Sequence, residues 1–582
     1  MKKLYLMLSM LFAFGAAANA IPAKKLQKVI TLTNGTQVSV ELRGDEYLSW
    51  WEGTDGTAYR ATADDTVFEA FDLEAQKPAA AARRARAEQG RVARLARVKN
   101  SLKGADDKMR GLGGDHITYK GVKKGLVVLV DFKNKKFADG HDLEYYKNVI
   151  NGKDFSDEEE GYVGSVRDYF LAQSNGQFEL DFDVVGPVTM SKNYGYYGND
   201  GAYQKDEKVY EMIKEACDGI QDQVNLKDYD WDGDGEADQV FFLYAGLGQA
   251  SGGSHSTIWP HESELRYWPC GVLSYSTGKI NTYACANELQ PETQGSSRYI
   301  SAGIGTICHE FSHCLGFADM YDTTGGGGYG MSVFDVMDQG SYNGNGFVPC
   351  NYTAFERIYA GWVEPIELID PATVKDMKSV SDYGRPFIMY NYKNTNEYFL
   401  LENRQNTGWD EGLYGSNGLL IVHVNYVPSR WANNSVNASN EKIQCCTVVN
   451  ADGSRENTQY SLQGDLYPYE VKGVTMNDEF TDESEPAAKL YTKNSANSYA
   501  LGIPITNIKR SKGSVSFLVC GGDDKNVIDN TFNGVVDGIN GVTVANKAAD
   551  NRIYSIDGRY LGTDASALGK GIYVVGGKKI VK

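Results

Sequence analysis

Residues 308–319, CHEFSHCLGFAD, hold two histidines, two cysteines, a glutamate and an aspartate, and each of these side chains can bind a metal ion. His309 and His313 stand four residues apart, so on a helix they share one face and can grip a single ion. Glu310 projects beside that face, where it can hydrogen-bond a water on the ion. This H-E-x-x-H spacing is the mechanics of a zinc hydrolase. Gly316 lets the chain turn off the helix, and Asp319, six residues past His313, brings a third ligand. The cysteines raise the alternative of a closed structural cluster. At about 100° per residue, Cys308 and Cys314 each point about 120° from the ligand face. An intact helix also holds their α-carbons about 9 Å apart, too far for a disulfide. A structural zinc site is therefore excluded, and both are expected to be core thiols or bonded elsewhere.

A second cluster lies in DYDWDGDGEAD, where Asp228, Asp230, Asp232, Asp234, Glu236 and Asp238 alternate with Gly233 and Gly235. Oxygen ligands at alternate positions around a glycine turn begin a calcium loop of the EF-hand type, although no glutamate closes it at the twelfth position. Repulsion among six nearby carboxylates favours a bound Ca2+ over a bare solvated turn. Its role would be to stabilise the fold.

These residues need elements to position them. GLVVLVDF and DQVFFLYAG are continuous apolar runs of strand length, the pattern of strands buried on both faces. Val209, Met212, Ile213, Ala216 and Ile220 recur at helical spacing, and RYISAGIGTICHEFSHCLG reads as the helix that carries the metal motif. Before them, residues 21–78 alternate apolar and polar positions around Asn34-Gly35 and Asp55-Gly56, which are hairpin signals. An alanine- and arginine-rich stretch follows, helix-prone and expected as a solvated linker. Its Arg83, Arg84, Arg86, Arg91, Arg94 and Arg97 also offer sites to an activating protease. From about residue 366, EYFLLENRQ, GLLIVHVNYV, KIQCCTVV and SVSFLVC read as strands of a sandwich-like domain.

The chain has 582 residues, enough for several domains, and a net charge of −18, which argues against a general nucleic-acid or anionic-membrane binder. MKKLYLMLSMLFAFGAAANA reads as a secretory signal peptide cut after Ala20, and no other apolar run is long enough to cross a membrane. Export permits disulfides. Cys270 and Cys285 flank the turn-like Ser276–Lys279 and are the best intrachain pair among the nine cysteines. His255, His261 and His423 read as structural. The pro-segment lacks cysteine, so any latch on the metal would be a carboxylate, with Asp45 the candidate.

SVFDVMDQGSYNG, downstream of the motif, adds a further signal. Metzincin peptidases combine H-E-x-x-H-x-x-G-x-x-H with a tight methionine-bearing turn beneath the zinc. With Asp319 in place of the third histidine, the chain resembles the immune inhibitor A family of metzincins. GLVVLVDF, SVRDYFLAQSNGQFELDFDVVGPV, YDWDGDGEADQVFFLYAG, TIWPH, GWVEP, EYFLLENRQ and GLLIVHV also look like segments of that family, across roughly residues 120–425. The resemblance implies zinc on His309, His313 and Asp319, a water in the fourth position and Glu310 as its base. It implies that Met337 shapes the floor and that Tyr342, at a longer spacing than usual, stabilises the oxyanion. Glu356 is the alternative third ligand, by analogy with thermolysin-like enzymes.

The expected protein is multidomain. A signal peptide (1–20) and a pro-segment with a basic helical linker (21–114) precede an α/β metzincin-like catalytic domain (115–365). A β-sandwich-like domain (366–522) and a small β C-terminal tail behind a linker (523–582) follow, the tail resembling a type IX sorting signal. The expected activity is that of a secreted or cell-surface zinc endopeptidase, made as an inactive precursor. Its partners would be protein or peptide substrates, an activating protease and the secretion machinery. The rival is a catalytically silent adhesin on a peptidase-like scaffold; an intact Glu310 argues against it, because binding alone needs no base.

Overall fold

The computed structural model describes residues 18–532 apart from 20, 63, 102–118, 202–204, 294–295, 326–327, 414–416, 439–442 and 456–460, together with four strands between 553 and 581. Five strands, Gln27–Leu32, Gln37–Gly44, Ser49–Gly53, Ala58–Ala61 and Val67–Ala70, close into a small barrel around Ile30, Val40, Tyr59 and Phe68. Gly35 and Gly56 turn two of its hairpins with φ of +82° and +80°. Helix α1, Leu73–Ser101, follows the barrel.

The central sheet is built from β1 (Ala18–Asn19), β2 (Gly121–Asp131), β3 (Phe178–Thr189), β4 (Val240–Leu247), β5 (His261–Glu264), β6 (Thr282–Pro291) and β7 (Tyr299–Ser301). Its spatial order is β1-β5-β6-β4-β2-β3, with β7 on β6. Strands β6, β4, β2 and β3 are parallel, whereas β5 runs antiparallel on β6 and β1 antiparallel on β5. The apolar run of β2 is buried on both faces, as its composition requires. Val127 and Leu129 enter the core that holds the metal-motif helix, while Leu126, Val128 and Val130 enter a second core. That second core includes helix α3 (Val209–Ile220), and the first receives α2 (Val166–Gln173), α4 (Gly305–Cys314) and α5 (Ala354–Tyr359).

Past residue 366 a five-stranded sheet, including β8 (Phe387–Tyr390), β9 (Glu397–Arg404) and β10 (Gly418–Asn425), faces a four-stranded sheet across Val374, Phe399, Leu401, Ile421 and Phe517. The alternate residues Tyr398, Leu400, Leu420 and Val422 pack into the same core as α4. The five-stranded sheet is thus buried on both sides, so residues up to Val535 form one compact unit. Val527–Ile528 pairs with the strand Ala372–Met377, which carries the β region past the expected end at residue 522. The second unit, from Val536, contains a four-stranded antiparallel sheet within Ile553–Val581. Among the described residues no helix is long and apolar enough to cross a membrane. All nine cysteines are free, so the expected Cys270–Cys285 pair is absent: Cys285 is buried within β6 and Cys270 lies in a half-buried turn.

Candidate metal centre and its cleft

Helix α4 carries His309, Glu310 and His313, each fully buried, with ligand atoms of all three within 4.8 Å of one another. The helix stops at Gly316, whose φ of +90° turns the chain back. The return delivers Asp319 to the two imidazoles: its Oδ1 lies 3.1 Å from His309 Nε2 and 3.3 Å from His313 Nε2. Both imidazoles are oriented from behind. The Nδ1 of His309 donates to the Val336 carbonyl at 2.7 Å, and that of His313 to the Phe317 carbonyl at 2.9 Å. Each Nε2 is therefore a lone pair aimed at the carboxylate oxygen. None of these three atoms makes a hydrogen bond of its own. Three facing lone pairs in a buried site repel unless a cation lies among them, and a two-imidazole, one-carboxylate set suits zinc.

Burial opposes ionisation of Asp319; positive charge at His313 and His309 would outweigh it and hold the carboxyl below its ordinary range, and with both imidazoles neutral a bound cation would supply that charge. Burial lowers the His313 imidazole, which keeps it neutral as a ligand must be. Asn434, just past the short helix Pro428–Ala432 that follows β10, brackets Asp319: its Oδ1 accepts the Asp319 N–H at 2.7 Å and its Nδ2 donates to Oδ2 at 2.5 Å. Met337 sits in the turn that supports His309. The Asp338 N–H closes that turn on the Asp335 carbonyl at 3.1 Å, and the Met337 carbonyl accepts from Met320 N–H at 2.9 Å. Glu356, the alternative third ligand, instead bonds Thr353 and faces Asp335 within the core.

The cleft beside this centre holds the chain's own N-terminal residues. Strand β1 pairs with β5, placing Ala18 opposite Ser263 and Asn19 opposite Glu262. The Ile21 N–H then donates to Glu310 Oε1 at 2.7 Å, and the Trp259 indole N–H to the Ile21 carbonyl at 3.1 Å. The Tyr342 hydroxyl donates to the Pro22 carbonyl at 2.8 Å. Burial raises the Glu310 carboxyl well above its ordinary value despite the Ile21 N–H. Helix α1 covers the same region, with Arg91 and Arg94 buried against α4 and β5. The stretch expected as a solvated linker is thus a docked element, and these two arginines are withdrawn from any activating protease. Asp45, the expected latch, pairs with Arg84 and accepts the Tyr47 and Leu48 N–H groups at 2.9 and 3.1 Å.

In the acidic loop, Asp230, Asp232 and Asp238 gather within 4.8 Å. Asp228 instead accepts from Asn225 at 3.0 Å, Glu236 pairs with Arg266 at 3.2 Å, and Asp234 accepts the Glu236 N–H at 2.8 Å. Asp230 accepts the N–H groups of Gly233 and Gly235 at 2.7 and 2.9 Å. Burial, opposed by the Trp231 N–H, pushes the Asp238 carboxyl up to about 7, and the charges of Asp232, Asp230 and Asp234 add to the rise. Of the other histidines, His255 pairs with Asp65, His261 bonds the Trp259 carbonyl and Tyr283, and His423 bonds Glu397.

Sequence reasoning missed Ile21, Trp259, Asn434 and the docked arginines. Their positions come from contacts 115 to 289 residues apart in the chain, for which no local spacing exists.

Comparison with known proteins bears on the same region. Residues 120–363 match the immune inhibitor A peptidase M6 catalytic domain. The pre-pro-metalloprotease PrtV of Vibrio cholerae is 28% identical over 269 residues, covering 39% of this chain and 28% of PrtV. Immune inhibitor A of Bacillus thuringiensis subsp. alesti is 27% identical over 319 residues, 45% of each protein. The chain thus spans less than half the length of these curated relatives. Residues 120–363 are thus similar to the catalytic domain of the immune inhibitor A-like metallopeptidases.

Proposed function

We propose that the chain is a secreted zinc endopeptidase of metzincin type, synthesised with its cleft filled by its own N-terminal segment. The observation that carries this reading is the convergence of His309 Nε2, His313 Nε2 and Asp319 Oδ1 beside a buried, unpaired Glu310 Oε2. These three residues would hold the ion, Asn434 would orient Asp319, and the turn around Met337 would orient His309. Zinc bound there supplies Lewis acidity toward water and the scissile carbonyl. Glu310 takes the proton of the attacking water and returns it to the leaving amine; burial, which raises its proton affinity, suits it to both halves. Tyr342 already donates to a peptide carbonyl one residue from the Glu310 contact, the role an oxyanion donor needs. Strand β5 would align substrate backbone as it aligns Ala18–Asn19 of the uncut chain, two residues that fall within the expected signal peptide.

The full chain would be latent, because Ile21 and Pro22 occupy the base and the carbonyl donor. The acidic loop would bind Ca2+ on Asp230, Asp232 and Asp238 and serve stability. The test compares casein cleavage by proteolytically processed wild type and Glu310→Ala. Loss of cleavage at least ~100-fold in the variant, with zinc retained, is expected; equal cleavage by both would sink the mechanism.

A further inference from the structure

Helix α1 makes an unusual use of charge. Arg91 and Arg94 are 2% and 5% exposed, whereas a helix that only covered the cleft could do so with apolar residues such as its own Leu95. Burying a guanidinium is costly unless the receiving site is built to match it. Here it is. Arg94 donates to Glu262 Oε1 at 2.5 Å and to the His313 carbonyl at 3.0 Å. Arg91, beside it, donates to the Gly316 and Phe317 carbonyls, both at 2.8 Å. The His313 and Gly316 carbonyls lie at the C-terminal end of α4, where the helix dipole favours a cation. Glu264 adds a second negative charge near Arg94. Glu262 belongs to β5, the strand along which an extended chain already lies.

We propose that Glu262 and the His313 carbonyl form a guanidinium-binding subsite of the cleft. Arg94 fills it in the full chain; after α1 departs it receives an arginine or lysine side chain of the substrate, within three residues of the scissile bond. The second half of this proposal rests on the reading of the chain as a latent peptidase. The first half does not, since it concerns a pocket of the full chain.

Arg94→Ala in the full chain removes two methylenes and their guanidinium from the pocket, so ethylguanidinium is the probe. At 10 mM it should raise the thermal midpoint of Arg94→Ala by about 3 °C. It should leave the wild type and the Arg94→Ala/Glu262→Gln double variant unmoved, and neutral ethylurea should act on none of them. Absence of a shift in Arg94→Ala, or an equal shift with ethylurea, overturns the subsite. For the processed protein, cleavage sites in a denatured protein mixture are mapped by mass spectrometry. At least ~10-fold enrichment of arginine or lysine at one position near the cut is expected, flattened in Glu262→Gln, in line with the discrimination a buried charge pair gives. A flat profile in the wild type overturns the substrate half. Complete absence of cleavage instead overturns the peptidase reading, while the ethylguanidinium result still reports on the pocket.

Discussion

The metal centre on α4 and the acidic loop before β4 both gather groups that bind cations, but they spend their hydrogen-bonding capacity differently. At α4 the supporting bonds are all made from behind, and the three atoms that face inward have none. In the loop, Asp230 already accepts three N–H groups from Gly233, Asp234 and Gly235, so the turn partly satisfies its own carboxylates. The first arrangement is complete only with an ion; the second is a folded turn that an ion would reinforce. Preorganised donors left without partners mark a site for chemistry, and satisfied ones mark a site for stability.

That contrast orders the expected effects. The largest belongs to Asp319→Ala, which should lower zinc affinity by more than about 100-fold, beyond what losing a supporting residue costs. Metal content by mass spectrometry after dialysis against micromolar zinc reads this directly; full retention would remove Asp319 from the ligand set. Asn434→Ala should weaken zinc by about 10–100-fold without unfolding the chain, because it only frees Asp319 to move. An unchanged affinity would mean that α4 and its turn orient the ligands alone.

Smaller effects are expected from the loop. With zinc held saturating, calcium should raise the thermal midpoint by about 2–5 °C, and Asp230→Asn should abolish that response while leaving turnover unchanged. A lack of response in the wild type would leave the loop a solvated turn. The smallest effect concerns Glu397, which is remote from both sites. Burial raises its carboxyl, but His423, Thr492 and the Tyr491 N–H outweigh that and bring it down to about 2. A depressed carboxyl contributes stability that is present above about pH 4.5 and lost as pH falls toward 2. Glu397→Gln should therefore cost about 1–3 kcal/mol at pH 7, by urea unfolding, and progressively less below pH 4. A pH-independent cost would assign Glu397 a packing role only.

What could be read beforehand divides along the same line. H-E-x-x-H, Gly316 and Asp319 fall within eleven residues, and helix geometry with the Gly316 turn brings them together, so this grouping was legible. The buried character of β2 and β4 was legible from their unbroken apolar runs. The loop was legible only in part, because six acidic residues at alternate positions cannot reveal which three turn inward. The stretch containing α1 was misjudged as solvated because its composition is basic; charged residues are rarely buried unless their partners are supplied elsewhere. Those partners, Glu262 and the carbonyls that end α4, lie 168 or more residues away.

The sequence by itself determined the chemistry on offer: one helix face with two imidazoles and a glutamate, a glycine exit and an aspartate beyond it. Those relations are local, set by 3.6 residues per turn and a left-handed glycine. Only the tertiary structure decided that Asn434 steadies Asp319, that Ile21 and Pro22 fill the cleft, and that two arginines are buried against the same helix. Each depends on desolvated groups from distant segments finding matched partners, and one-dimensional spacing does not encode such matches.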